Sequence, residues 1–166
     1  MKKLLTALLA LSLAHVSLGQ LVEFRGILNA EQSGTVSPAT GWLSGWVDTD
    51  TNWFYLDYAF SDLLAPQTAA HVHRGAPGMN GPVVIGAPTF PLGSPIHFET
   101  MISDQVESDL LSGMLYLNVH SQLYPGGEIR GQLMPVPEPS TYALVGVGLL
   151  GVVVYLRRRT QQQASS

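Results

Sequence analysis

The chain has 166 residues, no cysteine and a net charge of −4, which removes disulfide frameworks, thiolate metal sites, iron–sulfur clusters and cysteine nucleophiles together. Charge is unevenly spread: Lys2, Lys3, Arg157, Arg158 and Arg159 lie at the ends, while between Gln20 and Pro135 three arginines stand against eleven carboxylates. A segment of that sign repels nucleic-acid phosphates and excludes a nucleic-acid partner.

Residues 1–19 read as a signal peptide: Met1-Lys2-Lys3, an apolar run from Leu4 to Ala14, then small residues in Ser17-Leu18-Gly19 placed for signal peptidase. The apolar run is too short to cross about 30 Å of hydrocarbon. Residues 20–134 form one domain's worth of chain, long enough for a two-layer sandwich without covalent staples.

Within that domain, alternation predicts strands over Leu21–Leu28 and Gly41–Val47, with turn chemistry at Asp48-Thr49-Asp50-Thr51-Asn52 leading into the aromatic strand Trp53–Phe60, the pair making a hairpin. Ala69–His73 alternates as well, and Gly75–Pro82 is a loop that no regular element accommodates. Val83–Ile85 and Ile96–Met101 are further strands. A short helix is signalled by Ser103 as N-cap, Asp104 and Glu107 in its first turn, apolar Val106, Leu110 and Leu111, and Gly113 as terminator. Leu115–His120 and Glu128–Leu133 close the domain as strands around the turn Tyr124-Pro125-Gly126-Gly127. The expected class is all-β, an antiparallel immunoglobulin-like or superoxide-dismutase-like sandwich with one short helix.

The chain ends in Val136-Pro137-Glu138-Pro139-Ser140-Thr141, an uncharged run from Tyr142 to Leu156, the three arginines, and a polar tail over 160–166. The prolines delay helix formation, the run 142–156 is usable as a transmembrane helix, and the arginines favour the cytoplasmic side. Physics alone gives a C-terminal hydrophobic helix that anchors the domain outside.

Chemistry-bearing residues are sparse. His71 and His73 at i and i+2 of a strand share one face, and His120 on a neighbouring strand makes a third imidazole, a set suited to copper or zinc. The same histidines also fit a structural network with Glu128 and Arg130, themselves two residues apart. Both readings stand at this point. Asp48-Thr49-Asp50-Thr51-Asn52 resembles a calcium loop but lacks its glycine and its glutamate, and Asp48 with Asp50 reads as a solvated turn rather than a glycosidase pair. Ser44 lacks a nucleophile elbow. Trp42, Trp46, Trp53, Tyr55 and Tyr58 would make a carbohydrate-stacking platform, except that alternation sends about half of them to the core.

Two family resemblances add to this reading. Val136-Pro137-Glu138-Pro139-Ser140, the hydrophobic run and the arginine cluster resemble the PEP-CTERM sorting signal over 135–159. That resemblance implies recognition by an exosortase, at least transient membrane anchoring and association with exopolysaccharide and biofilm. Ala69-Ala70-His71-Val72-His73, Asn80-Gly81-Pro82-Val83-Val84, Leu115–His120 and Pro125–Leu133 together resemble the CHRD domain. The resemblance implies a secreted domain without a defined activity, here a non-enzymatic surface or matrix protein. The order His-Val-His, then Val-His, then a Gly-rich turn with Arg130 is also similar to the copper side of Cu/Zn superoxide dismutases. By analogy this offers a metal-binding, redox-active alternative, although the bridging histidine and zinc loop of those enzymes have no counterpart beyond His97.

Overall fold

The structure, a computed structural model, describes residues 20–86, 89–137 and the single positions 150 and 157. The expected signal peptide and the run 142–156 therefore lie outside the described residues, apart from Leu150, which is helical. Among the described residues no helix is long and apolar enough to cross a membrane.

Nine strands form one antiparallel sheet: β1 (Leu21–Asn29), β2 (Thr40–Asp48), β3 (Trp53–Ser61), β4 (Gln67–Arg74), β5 (Val83–Ile85), β6 (Ile96–Met101), β7 (Leu115–Ser121), β8 (Ile129–Gln132) and β9 (Met134–Pro135). The strand order is β5-β4-β7-β8-β1-β2-β3-β6, with β9 also paired to β1. β8 meets β1 through the single pair Asn29↔Arg130. At that thin junction the sheet curls, so that β5-β4-β7-β8 and β1-β2-β3-β6 act as the two layers of a sandwich.

One face of each half turns inward. Phe24, Leu28, Leu43, Val47, Phe54, Leu56 and Tyr58 from one half meet Ala70, Val72, Leu115, Leu117, Val119 and Ile129 from the other in a single buried cluster. Phe24 and Phe54 stack at 5.3 Å between centroids. Gly45 makes room for that stack, since a Cβ there would lie 2.6 Å from the Phe24 ring and 2.0 Å from the Tyr55 carbonyl. Burial of such side chains, each contributing roughly 1.5–3 kcal/mol, is the main source of stability in a domain without disulfides.

The predicted helix is present as α2 (Asp104–Leu111), with Ser103 Oγ accepting from the Val106 amide at 3.4 Å and Gly113 in the left-handed region (φ 67°) just past its end. A one-turn helix, α1 (Ala30–Ser33), was not expected; Asn29 caps it by accepting from the Gln32 amide at 3.3 Å, and Gly34 (φ 71°) stops it. The Asp48–Asn52 turn closes by Asp48 Oδ1 accepting from the amides of Asp50 (2.9 Å) and Thr51 (3.3 Å). Those bonds, Asp50's first, hold the Asp48 carboxyl below its ordinary range despite some desolvation.

Candidate metal centre

β4 puts His71 and His73 on its outward face, and the β4–β7 register pairs His71 with Asn118, His73 with Tyr116 and Ala69 with His120. His120 is thus diagonal to His71. Ring centroids are 5.1 Å apart for His71 and His120, 5.8 Å for His71 and His73, and 5.8 Å for His73 and His120. One ligating nitrogen from each ring lies within 4.8 Å of the other two.

Two of the rings are held by main-chain carbonyls. His73 Nδ1 donates to the Gly81 carbonyl at 2.9 Å, and His120 Nδ1 donates to the Pro125 carbonyl at 2.9 Å. A proton fixed on Nδ1 leaves the Nε2 lone pair as the free donor, the arrangement by which proteins orient metal-ligating histidines. The His73 Nε2 is buried and has no hydrogen-bond partner. His120 Nε2 lies 3.3 Å from His71 Nδ1.

Three imidazole nitrogens bound to one zinc or copper ion at about 2.0–2.1 Å stand roughly 3.3–3.6 Å from one another. The cluster is within about 1.5 Å of that geometry at its widest, a distance small side-chain rotations close. Burial first, then His71 and Arg130 for His73, and His71 and His73 for His120, push both imidazoles below their ordinary value of 6.5, although the carbonyl bonds act the other way. Neutral rings with lone pairs inward are the form a metal requires.

The surroundings are ordered by polar bonds rather than by core packing. Tyr116 stacks on His73 at 5.2 Å, its hydroxyl accepts from the Gly81 amide at 3.1 Å, and the Arg130 guanidinium lies 5.0 Å over its ring. Arg130 also donates to Asn80 Oδ1 at 2.9 Å, and Gln132 Nε2 donates to the carbonyls of Gly75 (2.9 Å) and Gly113 (2.7 Å). Asn118 donates to the Gly126 carbonyl at 3.0 Å. Two loops, Gly75–Pro82 and Gln122–Gly127, are thereby tied to the strand face, and residues that alternation sends outward are covered: His120 is 8% exposed and Arg130 5%.

The expected His–Glu–Arg network is corrected on one point. Glu128 bonds to none of the described histidines; its carboxylate accepts from Ser37 Oγ at 2.5 Å and the Leu64 amide at 2.7 Å. With Ser121 these donors outweigh burial and hold its carboxyl below the ordinary range. Glu128 precedes β8 and follows Gly127 in the left-handed region (φ 119°), so strand alternation with Arg130 does not decide its partners. Glu128 fastens the 35–37 segment and the 62–66 connection, whereas Arg130 fastens the loop above the histidines. His97 stands apart from the cluster on β6, with Nδ1 2.7 Å from Asp57 Oδ1.

Tyr116, Asn118 and Gln132 are the site residues that sequence reasoning passed over. The signal was present in Leu115–His120, where polar side chains alternate with apolar ones along a strand that is buried on both sides.

With this geometry in hand, comparison with known proteins gives the class. The chain belongs to the CHRD-domain family, whose model matches residues 24–133. A PEP-CTERM protein-sorting motif matches residues 135–159, which makes this an exported protein addressed to the cell envelope through exosortase-type sorting machinery. No curated protein and no solved structure matches the chain.

Proposed function

We propose that this exported, envelope-sorted protein displays a non-enzymatic metal-binding module, its CHRD domain holding one copper or zinc ion through His71 Nδ1, His73 Nε2 and His120 Nε2. The observation that carries the reading is the pair of carbonyl-locked rings, His73 on Gly81 and His120 on Pro125, which leave their Nε2 lone pairs available, with one nitrogen of each ring and of His71 within 4.8 Å of the others. Imidazole suits both metals, and a three-ligand set leaves a further coordination position for water or a small ligand. With no fourth histidine alongside among the described residues, His97 being engaged with Asp57, holding a metal is better supported than redox turnover. The setting we infer, after cleavage of residues 1–19 and handling of the 135–159 signal, is the outer surface and its exopolysaccharide matrix.

Calorimetric titration of the full chain with Cu(II) and Zn(II) tests this. One saturable site per chain is expected, at least about 100-fold weaker in His71→Ala or His120→Ala, equivalent to about 2.8 kcal/mol. A wild-type titration without saturation, or one unchanged by both variants, would sink the proposal.

A further inference from the structure

The chain has three tryptophans, and the sheet brings all of them to the outward face of β1-β2-β3-β6. The register arranges that face in rows across the strands: Leu21, Asp48, Trp53 and Met101; Glu23, Trp46, Tyr55 and Glu99; Arg25, Ser44, Asp57 and His97; Ile27, Trp42 and Ala59. At ordinary strand and residue spacings the face measures about 14 Å by 20 Å. Trp46 and Tyr55 stack at 3.6 Å, Trp53 meets Tyr55 edge-on at 6.1 Å, and Trp42 is 49% exposed. Leu21, Ile27 and Met101 are each at least 60% exposed. Apolar surface of this kind, gathered on one face and interleaved with polar groups, marks a binding surface.

The polar groups decide the occupant. Arg25 pairs with Glu23 at 2.7 Å, His97 Nδ1 lies 2.7 Å from Asp57 and its Nε2 3.9 Å from Glu99, and Asp48 accepts from its own turn amides, so donors and acceptors alternate across a face that carries four carboxylates and one arginine. A second protein sheet laid here would desolvate the Glu23–Arg25 ion pair and the Asp48, Asp57 and Glu99 carboxylates, a cost that apolar contact does not reliably repay. A cationic ligand finds all four carboxylates already engaged, Glu23 by Arg25, Asp57 and Glu99 by His97, and Asp48 by the amides of its own turn. An acidic one meets a domain of eleven carboxylates and three arginines. A hydroxyl-rich, uncharged ligand meets none of these objections: its apolar ring faces stack on indole, and its hydroxyls bond to the carboxylates and to Arg25 without displacing their partners. A depression of about 300 Å³ lined by Leu21, Glu23, Ser44, Gly45, Trp46 and Asp57 lies against one Trp46 wall with carboxylates at its rim.

We propose that the outward face of β1-β2-β3-β6 binds an uncharged polysaccharide, with sugar rings stacking on Trp42, Trp46 and Tyr55 and hydroxyls taken up by Glu23, Arg25, Ser44 and Asp57. This names a ligand class for the surface role proposed above and is independent of the metal.

The full chain, kept in a zwitterionic detergent, is titrated calorimetrically with the neutral hexamers of β-1,4-linked glucose, xylose, mannose and N-acetylglucosamine, with oligogalacturonate as the acidic control. Saturable binding of at least one neutral hexamer is expected, at least tenfold weaker in Trp46→Ala and in Trp42→Ala, and unchanged in His71→Ala. Ser44→Arg keeps every ring and fills the depression, and a matching loss there serves if Trp46→Ala fails a circular-dichroism check of folding. No saturable response to any neutral hexamer, stronger binding of oligogalacturonate, or a dimer that Trp42→Ala converts to monomer overturns the proposal. Loss of metal with glycan binding intact in His71→Ala would separate failure of the metal reading from failure of this one.

Discussion

The two outward faces of the curled sheet have the same backbone pattern and opposite fates. On β4-β7-β8, the residues that alternate away from the core are His71, His73, Tyr116, Asn118, His120, Arg130 and Gln132, and loops fold over them and hydrogen-bond to them. On β1-β2-β3-β6, the corresponding residues include three tryptophans, and among the described residues no loop hydrogen-bonds to their rings. Polar side chains were covered and large aromatic ones were left out, the reverse of what solvent transfer alone would choose. Covering a polar face requires a partner for every group, and here Gly81, Gly126 and Pro125 carbonyls supply them; the aromatic face is the one we propose a polysaccharide completes.

The covered face is the more fragile, and Gly127→Ala should break it most. A Cβ at that position would lie 2.1 Å from the Asn118 side chain on a backbone at φ 119°. A loss of about 2–3 kcal/mol is expected by denaturant unfolding, together with weaker metal binding, because the Pro125 carbonyl that orients His120 is two residues away.

Acidification should come next, and its sign follows from the depressed imidazoles. His73 and His120 titrate below 6.5 in the fold and near 6.5 when unfolded. The unfolded chain therefore binds more protons across that window, so stability is complete above about pH 6.5 and falls as pH drops toward the folded values. A falling melting temperature between pH 7.5 and 5, flattened in a His73→Phe and His120→Phe double variant, is the expected result. Glu128, whose folded value is lowered from 4.5, adds its own loss only below about pH 4.5.

The bare face should respond least. Trp42→Ala removes an exposed ring and is expected to change stability by less than about 1 kcal/mol. A larger loss by thermal melting would mean that the ring is part of the fold's own packing and would erase the contrast between the faces.

Strand order along the chain was legible because half-buried strands alternate, and the Asp48–Asn52 hairpin was legible because its turn residues bond to their own backbone. His71, His73 and His120 were legible as a set because strand geometry places i and i+2 together. The locks on those rings were not, since a main-chain carbonyl such as that of Gly81 or Pro125 has no residue code. Alternation alone also split the aromatics wrongly: only Tyr58 is buried, while Trp42, Trp46, Trp53 and Tyr55 share the outer face. The strand pairing Trp46↔Tyr55 and Asp48↔Trp53 fixes that division, and register is a property of two strands rather than of either sequence. The four residues of α1 and the two of β9 are too short to carry a period.

β9 pairs Met134 with Arg25 and Pro135 with Phe24, and the Val136 amide donates to the Glu23 carbonyl at 2.8 Å. The sorting motif begins at Pro135, so fold and address overlap without a spacer. Whatever grips the motif pulls on a strand stitched to the first strand of the domain, close to where the chain enters it. Fold therefore passes into address with no unpaired residue between Met134 and Val136. The strand so paired bears Glu23 and Arg25, so a pull on the motif would reach the aromatic face along its own margin.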